Sequence, residues 1–143
     1  MTKAELRSIP ISFFRHKTLP AEPRAVTLGQ ALDAIRSNFY ENQIKTIRQL
    51  KAEGNKEAAD EVKNNLHAVT FCATFQTRRV SGMCQNYNNL MVLDIDKLSL
   101  EEMERVKGCL EASPMVASFW TSPSGAGYKG LVALNYVNDD KKI

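Results

Sequence analysis

Apolar and polar positions alternate most tellingly around Leu90-Met91-Val92-Leu93-Asp94-Ile95-Asp96. Four apolar residues in a row predict a buried strand, and two aspartates end it. Side chains alternate across a strand, so Asp94 and Asp96 share one face while Met91, Leu93 and Ile95 share the other. The pattern predicts a strand inside a sheet, with its apolar face on the following helix and its aspartate face open. That helix is well marked. Ser99 and Glu102 form a capping box, Leu98 and Met103 a hydrophobic staple, and Leu100, Met103, Val106 and Leu110 a buried stripe over Ser99–Ala112. Ser113-Pro114 closes it.

Upstream, Ile9–Phe14 predicts a first strand, followed by the proline-containing connector TLPAEPRAV at residues 18–26. Thr27 and Gln30 make a second capping box ahead of Leu28, Leu32 and Ile35. A helix over about Glu41–Glu53 follows, with Ile44, Ile47 and Leu50 inward, a Glu41–Lys45 pair and a stop at Gly54. A third helix spans about Lys56–Leu66. Val69, Phe71, Ala73 and Phe75 alternate with polar residues as one half-buried strand, which runs into the polar loop Gln76–Gly82. Met115–Thr121 and Tyr128–Tyr136 predict the last two strands. From Val69 onward the order is β-β-α-β-β. The expected fold is α+β: a mainly antiparallel sheet with helices on one face and a helical insert at about residues 27–66, in a single domain over 1–143.

Composition adds little and excludes some classes. The chain has 143 residues, 43% of them hydrophobic and 24% charged, as in an ordinary globular protein. No run approaches the roughly 18 apolar residues of a membrane span, and the N-terminus lacks an apolar leader segment, so no membrane partner is expected. Cys72, Cys84 and Cys109 form no CxxC pair, which fits reduced cytoplasmic thiols. A formal charge of +3 identifies no partner by itself. Lys45, Arg48, Lys51, Lys56 and Lys63 read as solvated helix faces rather than a phosphate surface.

Two stretches carry candidate chemistry. Paired carboxylates on one strand face suit Mg²⁺ or Mn²⁺ through oxygen ligands, although aspartates also end strands in polar turns. The loop Ser122-Pro123-Ser124-Gly125-Ala126-Gly127 could turn successive N–H groups into an anion-binding nest, with both glycines at positive φ and Lys129 at the rim. A plain hairpin has the same composition. Arg78 and Arg79 offer paired cations for phosphate. If the strands carrying Asp94 and Ser122 are neighbours, these groups converge.

The runs KNNLHAVTFCATFQTRR, LMVLDIDKL and SFWTSPSGAGYKGLVAL resemble the VirE amino-terminal-like domain of bacterial mobile-element proteins, a distant relative of primase-polymerases. The resemblance covers about Ile9 to Tyr136 and implies a primase-polymerase or RRM-like core. It implies that Asp94 and Asp96 hold catalytic divalent metals and that Ser124, Gly125 and Gly127 contact nucleotide phosphates; beside it, Ser122 and Lys129 are expected to complete the phosphate loop and Arg78 and Arg79 to pair with nucleotide or template phosphate. The family's phosphate-contacting histidine is expected where Tyr128 and Lys129 stand. A third carboxylate is expected on a later strand, where Asn135 is neutral and Asp139 and Asp140 lie just beyond. Family members continue past this point, so a fragment or a shortened domain is expected.

The implied function is a nucleotide- or single-stranded nucleic-acid-binding module of a mobile-element or phage replication protein, acting in DNA replication beside a helicase or similar domain. If catalytic, it is a metal-dependent nucleotidyltransferase with an incomplete motif set. The alternative is a non-catalytic protein-docking domain on the same fold. A haloacid-dehalogenase-type phosphatase also begins from DxD on a strand. It is set aside because Leu98 replaces the expected Thr or Val and the strand lies late in the chain.

Overall fold

A computed structural model of the chain describes residues 2–18 and 21–134. Asn135, Asp139, Asp140 and the expected continuation of the last strand to Tyr136 lie outside them. The class is the expected α+β, with helices packed around antiparallel sheets. The strands are distributed over three such sheets. By its internal contacts the chain forms two compact units, one of residues 1–88 with Pro123–Gly125, the other of Asn89–Ser122 and the chain from Ala126 onward.

The first unit is built on β1 (Pro10–Phe14), which lies between β2 (Arg24–Thr27) and β3 (Ala68–Thr70). Helix α1 (Lys3–Ser8), capped by Thr2 and Glu5, precedes it. The end of the expected connector is therefore a strand, because β1 pairs it from Pro10↔Thr27 to Phe13↔Arg24. The expected strand Val69–Phe75 breaks in two. Thr70 Oγ1 donates to the Ala73 carbonyl at 3.0 Å, and Asn88 Nδ2 donates to the carbonyls of Phe71 and Pro10, both at 2.9 Å. Backbone acceptors left over at the bend are thereby satisfied. The chain resumes as β4 (Ala73–Phe75), which pairs with β5 (Cys84–Tyr87).

The three helices of the expected insert are α2 (Leu28–Arg36), α3 (Glu41–Ala52) and α4 (Lys56–Asn64). The Thr27–Gln30 box caps α2. Glu41 and Lys45 pair at 2.6 Å on α3. Gly54, with φ of 79°, turns the chain into α4. Ile11, Phe14, Leu28 and Ile47 are fully buried and form the centre of this unit.

The second unit contains β6 (Leu90–Ile95), α5 (Leu100–Ala112), β7 (Val116–Thr121) and β8 (Tyr128–Ala133), with strand order β6-β8-β7. The aspartate strand is thus at the edge of its sheet, contrary to the expected interior place. The short loop after β7 makes β7 and β8 a hairpin, and β8 then pairs with β6 on its other side. Strands β6 and β7 run parallel with β8 between them, a split βαβ arrangement. Charged residues on an edge strand discourage unwanted strand pairing, which accords with the placing of Asp94.

Being at an edge also changes the burial. Met91 and Val92 are 44% and 45% exposed, while Leu93 and Ile95 are half-buried. Helix α5 packs on β7. Leu110 is buried and Met103 and Val106 are half-buried, but Leu100 is 90% exposed and leaves the expected stripe. It is the first residue of the helix and faces outward.

The α5 cap is reciprocal: the Glu102 N–H donates to Ser99 Oγ at 3.2 Å, and the Ser99 N–H donates to Glu102 Oε2 at 2.8 Å. Those hydrogen bonds hold the Glu102 carboxyl below the ordinary glutamate range. A depressed acid stabilises the fold above its unfolded pKa and loses that contribution as pH falls through its folded value. Ser99→Ala should destabilise the protein by about 1 kcal/mol at neutral pH in urea denaturation. The difference from wild type should shrink only in part as pH falls below about 4, beneath the usual glutamate value, because the Ser99 N–H that chiefly lowers the Glu102 carboxyl is kept in the variant. Glu102→Gln should keep the cap and remove its share of the pH dependence.

Candidate functional site

Pairing of β6 with β8 sets Asp94 directly opposite Lys129, and pairing of β7 with β8 sets Lys129 opposite Trp120. Directly opposed residues share a face, so Asp94, Lys129 and Trp120 form one row across the sheet. Lys129 Nζ donates to Asp94 Oδ1 at 2.6 Å. The two side chains remain 29% and 53% exposed, respectively. By the same alternation Leu90 and Leu131 lie on this face, and both are buried. The ion pair therefore caps the open end of an apolar row.

Asp96 follows the last residue of β6 and is exposed. Lys97 takes a positive φ of 61°, and the Leu98 N–H then donates to the Ala126 carbonyl at 3.0 Å. On the neighbouring hairpin the Ser122 N–H donates to the Gly127 carbonyl at 2.9 Å. Gly127 is the tight point. A Cβ there would collide with the Ile95 carbonyl oxygen and stand 3.1 Å from Asp96 Cα.

The structure thus brings Asp94, Asp96, Gly127 and Lys129 to one end of the second unit. Ser122 is in the same unit but is 2% exposed, and β8 separates its strand from β6, so the expected adjacency of those strands does not occur. The expected nest is also altered. Gly125 has a φ of 80°, whereas Gly127 is not at positive φ and is required for close approach instead. Ser124 and Gly125 group with the first unit.

Arg78 and Arg79 belong to the first unit as well. Arg79 donates through Nη2 to the Lys17 carbonyl at 3.1 Å, and its guanidinium lies 5.4 Å from the centre of the buried Phe14 ring. It closes the core there through a cation–π contact. Arg78 is exposed and forms a backbone bridge with Ala21.

Tyr128 is buried, its ring edge-on to Phe119 at 5.7 Å on the face opposite Lys129. It is a packing residue. Trp120 was missed by the sequence reading, although Ser118, Trp120 and Ser122 alternate onto one face within β7 and its loop.

Among the described residues no three His, Cys, Asp or Glu side chains gather as a metal-binding group. Asp94 and Asp96 supply two carboxylates, one already in contact with an ammonium. Two carboxylates are fewer than a protein-only metal site needs, so an ion there would take its remaining ligands from water or phosphate.

Gly127→Ala should destabilise the protein by about 1–3 kcal/mol, as overpacking does. Gly108→Ala on α5, where an added Cβ meets open space, should instead be neutral or stabilise by up to about 1 kcal/mol. Urea denaturation of the two variants beside wild type checks the contrast, and equal behaviour would remove the steric role of Gly127.

No curated protein and no solved structure matches the chain. The family model described as BT4734-like, N-terminal domain matches residues 61–142. That span is more than half of the sequence and includes β6, α5, β7 and β8, so the chain belongs to the BT4734-like N-terminal domain family.

Proposed function

We propose that this chain is a nucleotide- or single-stranded nucleic-acid-binding module of a mobile-element or phage replication protein, and that phosphate is received at the Asp94–Lys129 end of the second unit. The observation that carries this reading is the cross-strand ion pair itself. Its lysine is positioned by the β6–β8 register and flanked by the large aromatic surface of Trp120. A phosphate can take the ammonium from Asp94 with little loss, because partly exposed ion pairs contribute only about 0–1 kcal/mol. Asp94 and Asp96 would then hold Mg²⁺ or Mn²⁺, which supplies charge neutralisation at the phosphate.

The reading stops at binding. Tyr128 is packed into the unit and Lys129 is engaged with Asp94, so neither supplies the histidine of the primase-polymerase pattern. Primer extension is not expected of this chain. No helix of the described residues is long and apolar enough to cross a membrane. The proposed setting is the cytoplasm, beside a helicase or other replication domain. Protein docking is the second reading, favoured by the edge position of β6 with Met91 and Val92 exposed, a surface suited to strand addition.

Calorimetry with ATP, MgCl₂ and their mixture separates these readings. The mixture should bind more tightly than either component, since the nucleotide alone competes with Asp94 and the metal alone competes with Lys129. Lys129→Ala, Asp94→Asn and Asp96→Asn should each weaken the mixture, and Lys45→Ala should not. Affinity for oligonucleotide should fall as salt rises, through counterion release. Binding to neither nucleotide nor oligonucleotide would leave protein docking as the better account. Primer extension abolished by Asp94→Asn would overturn the limit to binding.

A further inference from the structure

A second cluster lies in the first unit, on residues that the phosphate site does not use. The one-turn 3-10 helix Asn38–Tyr40 presents Phe39 and Tyr40 beside His67, which immediately precedes β3. The Phe39 and His67 rings are stacked, with centroids 5.9 Å apart and planes at 27°. Tyr40 meets Phe39 edge-on at 4.9 Å and His67 at 5.7 Å. Phe13 closes on His67 at 4.8 Å, and the Tyr40 hydroxyl and His67 Nδ1 share a hydrogen bond of 2.9 Å. Four rings therefore hold one another in edge and stacked geometries that aromatic groups favour.

Packing alone does not account for Phe39. Its partners are at least half-buried, yet Phe39 itself is 68% exposed. With His67 behind it and Tyr40 at its edge, the ring is fixed in orientation while its remaining face meets solvent.

The surrounding charge narrows what that face can take. Burial, and then electrostatic repulsion from His16 and Arg15, hold His67 below the ordinary histidine range. Arg15 and Lys17 are exposed, and the Lys17 N–H donates to the Leu66 carbonyl at 3.2 Å, which runs the Arg15–Lys17 segment alongside His67. Aromatic cages for methylated ammonium groups need an environment that tolerates a cation, whereas the Arg15 charge acting on His67 repels one. A ligand with a flat π surface and negative charge fits both features.

The geometry points to a base-stacking platform: Phe39 receives the face of an unpaired nucleobase, while Arg15 and Lys17 take the adjoining phosphates of a single strand. Stacking on exposed aromatics within a basic surface is a sequence-tolerant way to hold single strands, and paired bases do not offer their faces. The inference rests on the nucleic-acid reading above but on different residues, in the other unit.

Fluorescence anisotropy of the whole chain with labelled dT12, and with a 12-mer of abasic sites, tests it. Phe39→Ala should weaken dT12 binding about tenfold, within the range for loss of one stacked base, and still unfold cooperatively, at a temperature matched by Phe39→Leu. Phe39→Trp should retain binding, and Phe39→Leu, which keeps an apolar side chain without a ring, should resemble Phe39→Ala. The abasic strand should bind more weakly than dT12 and be insensitive to residue 39. Arg15→Ala should weaken both strands. A Phe39→Leu protein that binds dT12 as wild type does, or an abasic strand bound as tightly as dT12, would overturn the platform. Binding of dT12 that is lost in Lys129→Ala but intact in Phe39→Ala overturns the platform alone. Wild type that binds neither strand overturns the platform and the strand-binding reading together.

Discussion

The register between β6 and β8 is the constraint on which the second unit depends. It runs from Leu90↔Ala133 to Ile95↔Tyr128 without interruption. A slip of one residue would send every side chain of one strand to the opposite face. Lys129 would leave Asp94, and the fully buried Leu131 would exchange faces with Val132 or Gly130. Both ends of the ladder are fixed against this. At one end the Leu134 N–H donates to the Asn89 carbonyl at 2.9 Å. At the other, Gly127 admits the Ile95 carbonyl into space that any side chain would fill. A steric requirement at one glycine and a hydrogen bond seven residues along thus decide where two charges meet.

What could be read from the sequence was what is decided locally. The capping boxes at Thr27–Gln30 and Ser99–Glu102 are closed within four residues, and both formed. Gly54 ended α3 for the same reason. Strand order is not local. The alternation in Leu90–Asp96 gives a strand and its two faces but not its neighbours, so nothing in it distinguishes an edge from an interior position. Strand β8 could lie beyond β7 or between β7 and β6 with an identical sequence pattern. The break at Phe71-Cys72 was likewise hidden, because the Asn88 side chain that satisfies it lies 17 residues away from Phe71. The aspartate and lysine were legible as candidates. Their contact required the register.

Energetic scale separates what holds the fold from what is free to act. Ile11, Phe14, Leu28, Ile47 and Leu131 lose all contact with water, and full burial of such side chains contributes about 1.5–3 kcal/mol each. The Asp94–Lys129 pair, partly exposed, contributes at most about 1 kcal/mol. The fold does not depend on it. Arg79 is the counter-example. Its guanidinium covers the buried Phe14 ring and its Nη2 is bonded to a main-chain carbonyl, so its charge serves packing and is costly to redirect.

The same reasoning separates the cations that the sequence offers as phosphate ligands. Arg78, Arg79 and Lys129 all stand as candidates in the sequence, and bidentate arginine is a common choice for phosphate. They differ in what each cation would have to give up. Arg79 would surrender a cation–π contact and a hydrogen bond at the edge of a core. Lys129 would surrender one carboxylate that water already reaches, and that carboxylate can be compensated by an arriving divalent ion. On the proposed reading, an anion that brought its own metal would exchange partners with both members of the pair and leave neither charge unpaired. A bare anion leaves Asp94 uncompensated, and a bare metal leaves Lys129 so. The proposed site would therefore favour ligands that carry both charges.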